Sequence, residues 1–215
     1  MNHIADLGRR IELVPMDPHC HDITLSLYET ADGRGGPAFR VHSYSRRSGA
    51  DERVAFVTAA MKVLGDMESV AGGAGLVRFR CGAEHRLACR RLFLEACKLA
   101  SDAALAARLP SVIDKKTGRT IRAVGLGDGA YRLEMADGEP PEPGRIAGVA
   151  NGLNKLAEMK PSAAGEDRVA FGCGRPHDAI VGLLLPRALN VRAVLREEEA
   201  IAGRGILAAP SAQKT

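Results

Sequence analysis

Val77-Arg78-Phe79-Arg80-Cys81-Gly82-Ala83-Glu84-His85 and Val169-Ala170-Phe171-Gly172-Cys173-Gly174-Arg175-Pro176-His177 are one pattern written twice. Val, Phe, Cys, Gly and His recur in one register, at an offset of 92 residues (Cys81 to Cys173). The same offset aligns Phe39-Arg40-Val41 with Tyr131-Arg132-Leu133, Leu64 with Leu156, Met67 with Met159, Leu92 with Leu184 and Ala96 with Ala188. Without a gap, roughly 15 of about 61 positions from Phe39 onward are identical. Shared amphipathicity explains matched apolar residues. It does not explain Cys, Gly and His matched together, so the expectation is a tandem duplication.

Working outward, Asp22 to Tyr28 alternates apolar and polar residues, and so does Phe39 to Tyr44, as the two strands of a hairpin would. Ala31 to Pro37, rich in Gly, is the turn between them. Val54, Val57, Met61 and Leu64 recur at helical spacing, with Ser48 or Asp51 placed to cap that helix. The second copy repeats the stripe as Ile146, Val149, Leu153, Leu156 and Met159. A strand from Leu76 to Arg80 and a helix from Glu84 to Ala106 complete the unit. In the second copy the hairpin is Ile121–Leu126 and Ala130–Met135 around Gly127-Asp128-Gly129. There the helices are expected over 144–159 and 176–199, with Pro186 kinking or splitting the last one.

The expected fold class is α+β. It is a duplicated β-β-α-β-α unit forming two-layer α/β sandwiches related by a pseudo-two-fold axis. The division is 1–107 and 108–215, as two domains or one fused compact domain. A shared sheet or a packed pair would both satisfy the pattern. The tail from Gly205 to Pro210 reads as an edge strand, and Ser211 to Thr215 as a frayed end.

Composition narrows the function classes. Of 215 residues, 46% are hydrophobic and 26% charged, but aromatics are only 4% and Trp is absent. The core must rest on Val, Leu, Ile, Ala and Met. So few aromatics argue against base stacking on nucleic acid. The net charge of +4 is spread over basic pairs such as Arg46-Arg47, Arg90-Arg91 and Lys115-Lys116, not gathered into a stripe. No run approaches the length of a membrane span. Five cysteines in an odd set, with no apolar leader in the first ten residues, fit a cytoplasmic protein with reduced thiols.

Two clusters could carry chemistry. At each strand-to-helix turn, a helix N-terminus near the thiol would favour thiolate and anion. In the second copy Pro176 suits the first helical position, and His177 and Asp178 follow in the first turn. That suggests a small-molecule enzyme with Cys173 as nucleophile or acid, His177 as base and Asp178 as orienter. The first copy has Arg86 where the second has Asp178, so the second is the favoured site. The other cluster is His19-Cys20-His21-Asp22, which would supply His19 and His21 to the active site, with His42 across the hairpin.

Two alternatives stand beside the enzyme. Cys81, His85, Cys173 and His177 make a Cys2His2 zinc set if the two turns meet, with His19, Cys20, His21 and Asp22 as an alternative ligand source. A non-catalytic module is the other, binding a small anionic ligand at helix N-termini or assembling into a homo-oligomer. The substrate is not readable. No Walker loop, Gly-x-Ser-x-Gly elbow or paired Cys-x-x-Cys occurs, and Gly125-Leu126-Gly127 lies in a hairpin, not before a helix.

Overall fold

The computed structural model describes residues 8–16, 23–45, 49–98, 111–113, 119–142, 144–161 and 165–196. The first half holds β1 (Arg9–Met16), β2 (Ile23–Ala31), β3 (Pro37–Ser43), α1 (Ala50–Gly65), β4 (Met67–Ser69), β5 (Leu76–Phe79) and α2 (Arg86–Lys98). The second holds β6 (Ser111–Ile113), β7 (Thr120–Gly127), β8 (Ala130–Met135), α3 (Arg145–Ala157), β9 (Lys160–Pro161), β10 (Arg168–Ala170) and α4 (Asp178–Ala188). A fifth helical segment, α5, covers 191–196.

The strands form two separate antiparallel sheets, ordered β1-β2-β3-β5-β4 and β6-β7-β8-β10-β9. Each half is therefore β-β-β-α-β-β-α, two strands richer than the β-β-α-β-α unit expected from the sequence. The additional strands are β1, β4, β6 and β9. Three of them span only two or three residues, too short for a period of two to show, and β1 is charged or polar at Arg9, Arg10 and Glu12. The two sheets are not one shared sheet.

The hairpins lie where alternation placed them. Leu25 and Leu27 of β2 pair with Ser43 and Val41 of β3, and Ile121 and Ala123 of β7 pair with Met135 and Leu133 of β8. On β8 the buried positions are Tyr131, Leu133 and Met135, every second residue. Fully burying each Leu or Ile of these faces contributes about 1.5–3 kcal/mol.

The helical stripes are also as read, since Val54, Val57, Met61, Ile146, Val149, Leu153 and Leu156 are buried, while Leu64 is half-buried against the core. Met159 is buried as well, but it lies beyond the C-cap Glu158 of α3. The caps differ from expectation. Gly49 caps α1 and Asp51 falls in its first turn, while Ser48 lies outside the described residues. Helix α2 begins at Arg86, two residues after the expected start. Pro186 sits within α4, which ends at Ala188 two residues later, and the chain turns at 189–190 before α5. The long final helix is thus split, as a proline that blocks an i−4 hydrogen bond leads one to expect. The C-terminal tail and the frayed end fall outside the described residues.

Helices carry the contact between the halves. α1 packs on α2 and α3 on α4, while α2 meets α3 and α1 meets α4 across the halves. Arg187 of α4 pairs with Glu95 of α2 at this junction. The buried core is a single cluster running from Leu25 of β2 to Ala188 of α4. Among the described residues, no helix is long and apolar enough to cross a membrane.

Candidate metal centre

The two Cys-Gly-x-x-His turns converge. Donor atoms of Cys81, His85, Cys173 and His177 all lie within 4.8 Å of one another, so the four form a group that could hold a metal ion. Each turn is built the same way up to its glycine. Strand β5 ends at Phe79, whose carbonyl accepts the N–H of Gly82 at 3.0 Å, and Phe171 after β10 likewise accepts the N–H of Gly174 at 3.2 Å. Gly82 and Gly174 stand at φ 76° and 69°, a backbone region costly for a residue with a side chain. That left-handed step reverses the chain, so the cysteine before it and the histidine three residues after it face the same space.

After the glycine the turns diverge. His85 itself is left-handed, at φ 40°, and its carbonyl accepts the N–H of Cys89 as α2 begins. His177 has a negative φ instead, with φ −136° and ψ 64°, and is the N-cap of α4. Pro176 therefore precedes the cap. It does not take the first helical position expected of it, which belongs to Asp178.

The imidazoles are buried and the thiols half-buried. His85 is 9% exposed and His177 3%, whereas Cys81 and Cys173 are intermediate. Phe79 and Phe171 wall the imidazoles edge to face. Phe79 meets His85 at 5.1 Å and His177 at 6.1 Å between ring centres, and Phe171 meets His177 at 4.8 Å and His85 at 5.6 Å. The two imidazoles stand 4.9 Å apart. Burial works against the charged form of both imidazoles. It takes His85 down to about 4, with His177 beside it acting in the same direction. His177 is also lowered by burial, against the pull of Asp66 and Asp178. A neutral imidazole is the form that binds a metal.

The sulfurs are unequal. The amide of Ala83 donates to Cys81 Sγ at 3.4 Å. Burial nonetheless pushes the Cys81 thiol up, and Cys173 adds to the rise. At Cys81 desolvation thus works against the acidic thiol expected near a helix N-terminus. Cys173 Sγ lies 3.2 Å from His177 Nε2.

Asp178 is not against the imidazole. Its Oδ1 accepts from the Tyr131 hydroxyl at 2.7 Å, and that hydroxyl accepts the backbone N–H of His177 at 2.7 Å. His177 Nδ1 is buried without a hydrogen-bond partner among the described residues. The carboxylate thus holds the backbone of His177 through Tyr131 and does not orient the ring. His19, Cys20, His21 and Asp22 lie outside the described residues. His42 packs edge to face between Tyr28 and Tyr44 on the first hairpin and is not a member of the four-residue group.

Tyr131, Phe79 and Phe171 are the site residues that sequence reasoning passed over. A trace of Tyr131 was present: where the second copy has Tyr131 and Asp178, the first has Phe39 and Arg86. A hydroxyl and its carboxylate partner stand together at one set of positions and are absent together from the other.

The donor chemistry suits a soft divalent ion. Two sulfurs and two imidazole nitrogens form a set that favours zinc over the hard cations. A zinc tetrahedron has donor–donor edges of about 3.3–3.8 Å, so even the widest separation in the group is about 1 Å from the required geometry. Buried His85 Nε2 has no hydrogen-bond partner among the described residues, which leaves a polar atom that a ligand would satisfy. A scan of protein-family models and searches of curated proteins and of solved structures return no match to this chain. Fold and site together define a mixed α/β protein of two antiparallel sheets with a Cys2His2 group between its halves.

Proposed function

We propose that this protein binds one zinc ion through Cys81, His85, Cys173 and His177, and that the ion clamps the two halves together. The observation that carries this reading is the convergence of four soft donors, two from each half, within 4.8 Å. Two turns offset by 92 positions have no local reason to bring two thiols and two imidazoles together. Four protein ligands leave no open position, which is the mark of a structural site. The half-buried thiols give an entry path, and the ring cage of Phe79 and Phe171 holds the imidazoles in place.

The reading includes a duplicated origin, with halves 1–107 and 108–215 fused around one core and related by a pseudo-two-fold axis. Identical element order, left-handed C-caps at Asp66 and Glu158, and left-handed Gly82 and Gly174 support it, each pair at the same offset. The reciprocal contacts α1–α4 and α2–α3 are those a two-fold would produce.

Metal analysis of purified protein tests the reading, with one zinc per chain expected. Cobalt substitution should give the visible absorption of a tetrahedral thiolate site. Absence of stoichiometric metal, together with failure to take up zinc or cobalt after reduction, would refute the proposal.

One observation favours an enzyme as the second reading: the 3.2 Å contact of Cys173 Sγ with His177 Nε2. On that reading the thiol is the nucleophile and His177 its base. It is the weaker reading because His177 Nδ1 lacks an orienting partner among the described residues.

A further inference from the structure

We propose that Cys81 and Cys173 are also a modification site: peroxide joins them in a reversible disulfide, and the metal ion is lost as the bond forms. The inference rests on the zinc reading for its metal half. Its thiol half stands on the arrangement of the cysteines.

Three observations carry it. The two sulfurs lie within 4.8 Å of each other, in a chain where both are free thiols. They come from opposite halves, and each sits in a turn beyond its strand, not in a strand or helix. A single χ1 rotation displaces Sγ by about 3 Å, which is the size of the gap between this separation and an S–S bond of about 2 Å. They are also the accessible thiols. Cys89 is 0% exposed and Cys97 7%, whereas Cys81 and Cys173 are half-buried. Oxidation follows access, so peroxide should select this pair among the described cysteines.

The reaction balances without help from the metal. One thiolate attacks a peroxide oxygen and breaks the O–O bond, giving a sulfenic acid and hydroxide. The second thiolate attacks that sulfur, forms the S–S bond and expels a second hydroxide. Two electrons pass from the sulfur pair to peroxide, and two protons from solvent complete two waters. His85 and His177 remain as donors, and two imidazoles without the thiolates hold zinc far more weakly. The covalent bond then spans the same junction that the ion had spanned, so the halves stay joined in either state. A thiol reductant attacks the disulfide, restores both thiols and allows the metal to return.

The test uses the full chain in zinc-loaded and metal-free forms, each treated with hydrogen peroxide. Zinc release is followed with a chromogenic chelator and cross-links by mass spectrometry of unreduced digests. The expected result is a Cys81–Cys173 disulfide in both forms, with one zinc released per disulfide in the loaded form and both changes reversed by dithiothreitol. The Cys81→Ser and Cys173→Ser proteins should form no such cross-link. Zinc that stays bound at full oxidation of the pair, or a single cysteine driven to sulfinic acid with no cross-link, overturns the inference and leaves the metal site standing. A disulfide through Cys20, Cys89 or Cys97 also overturns it. A Cys81–Cys173 disulfide in a chain that never takes up zinc sinks the metal reading and keeps the thiol pair.

Discussion

The turn that carries Cys81 and His85 and the turn that carries Cys173 and His177 present the same donors from different frames. The second is tied down by polar bonds: Asp178 accepts from Tyr131, and the Tyr131 hydroxyl accepts the N–H of His177. The first has Phe39 in place of Tyr131 and cannot make that relay. Its Arg86 turns instead to Glu29, at 3.4 Å. It reaches the site by placing His85 at φ 40°, a conformation that costs a non-glycine residue on the order of 1 kcal/mol. The donor types are the same in both turns while their support is not. The constraint shared by the halves is therefore the meeting point of four side chains, not the local turn.

Removing a donor should have the largest effect and should break the comparison from both sides. If zinc binding is worth about 10–16 kcal/mol over four ligands, each contributes about 3 kcal/mol. Cys81→Ala and Cys173→Ala should each weaken zinc binding by roughly a hundredfold or more, as measured by competition with a chelator. A loss confined to Cys173→Ala would mean that the second turn holds the ion without Cys81 and would break the four-donor reading.

The pH response of the metal-free protein comes next. His85 titrates near 6.5 when unfolded and is held down to about 4 in the fold. Its folded pKa is depressed, so its stabilising contribution is present above pH 6.5 and is lost as pH falls toward 4. The loss should approach about 3 kcal/mol. Denaturant melts across this range should show it, and His85→Phe, which keeps an aromatic ring against Phe79 and Phe171, should flatten the profile. An unchanged profile in His85→Phe would place the acid sensitivity elsewhere.

The relay gives a smaller effect and sharpens the contrast. Tyr131→Phe makes the second turn resemble the first. It should weaken zinc binding by about tenfold, as the loss of a ligand's supporting contact does, with little change in secondary structure by circular dichroism. The reciprocal Phe39→Tyr should gain nothing, because Arg86 offers the hydroxyl no acceptor.

The smallest effects concern the helices. Gly152 in α3 stands at the position of Ala60 in α1, and a Cβ on it would meet the backbone of Ala188, with the Cα at 2.8 Å. Gly152→Ala should cost about 1–3 kcal/mol in thermal or denaturant melts. Gly148→Ala, at an exposed position with nothing within 4 Å, should stabilise by about 0.5–1 kcal/mol.

Much of the fold was legible because burial leaves a period in the chain. Leu25 and Leu27, Tyr131 and Leu133, and the stripe from Val54 to Met61 each face the core at the spacing of their element. The short strands β4, β6 and β9 were not legible, since two or three residues carry no period and exist only by pairing with a neighbour. The N-cap Gly49 was missed because nearby Ser48 and Asp51 carry better capping side chains.

The repeated Cys-Gly-x-x-His, the donor types and the left-handed glycine in each turn are properties of short segments, and the sequence by itself determined them. It also held the paired difference between Phe39 with Arg86 and Tyr131 with Asp178. Whether the two turns meet was decided by the tertiary structure alone, because the packing of α1 on α4 and α2 on α3 depends on side chains spread over both halves. The tertiary structure also set Asp178 against Tyr131 of β8 within its own half, not against the imidazole it was expected to orient. Contact between residues 92 apart is a matter of how faces fit, and no local pattern encodes it.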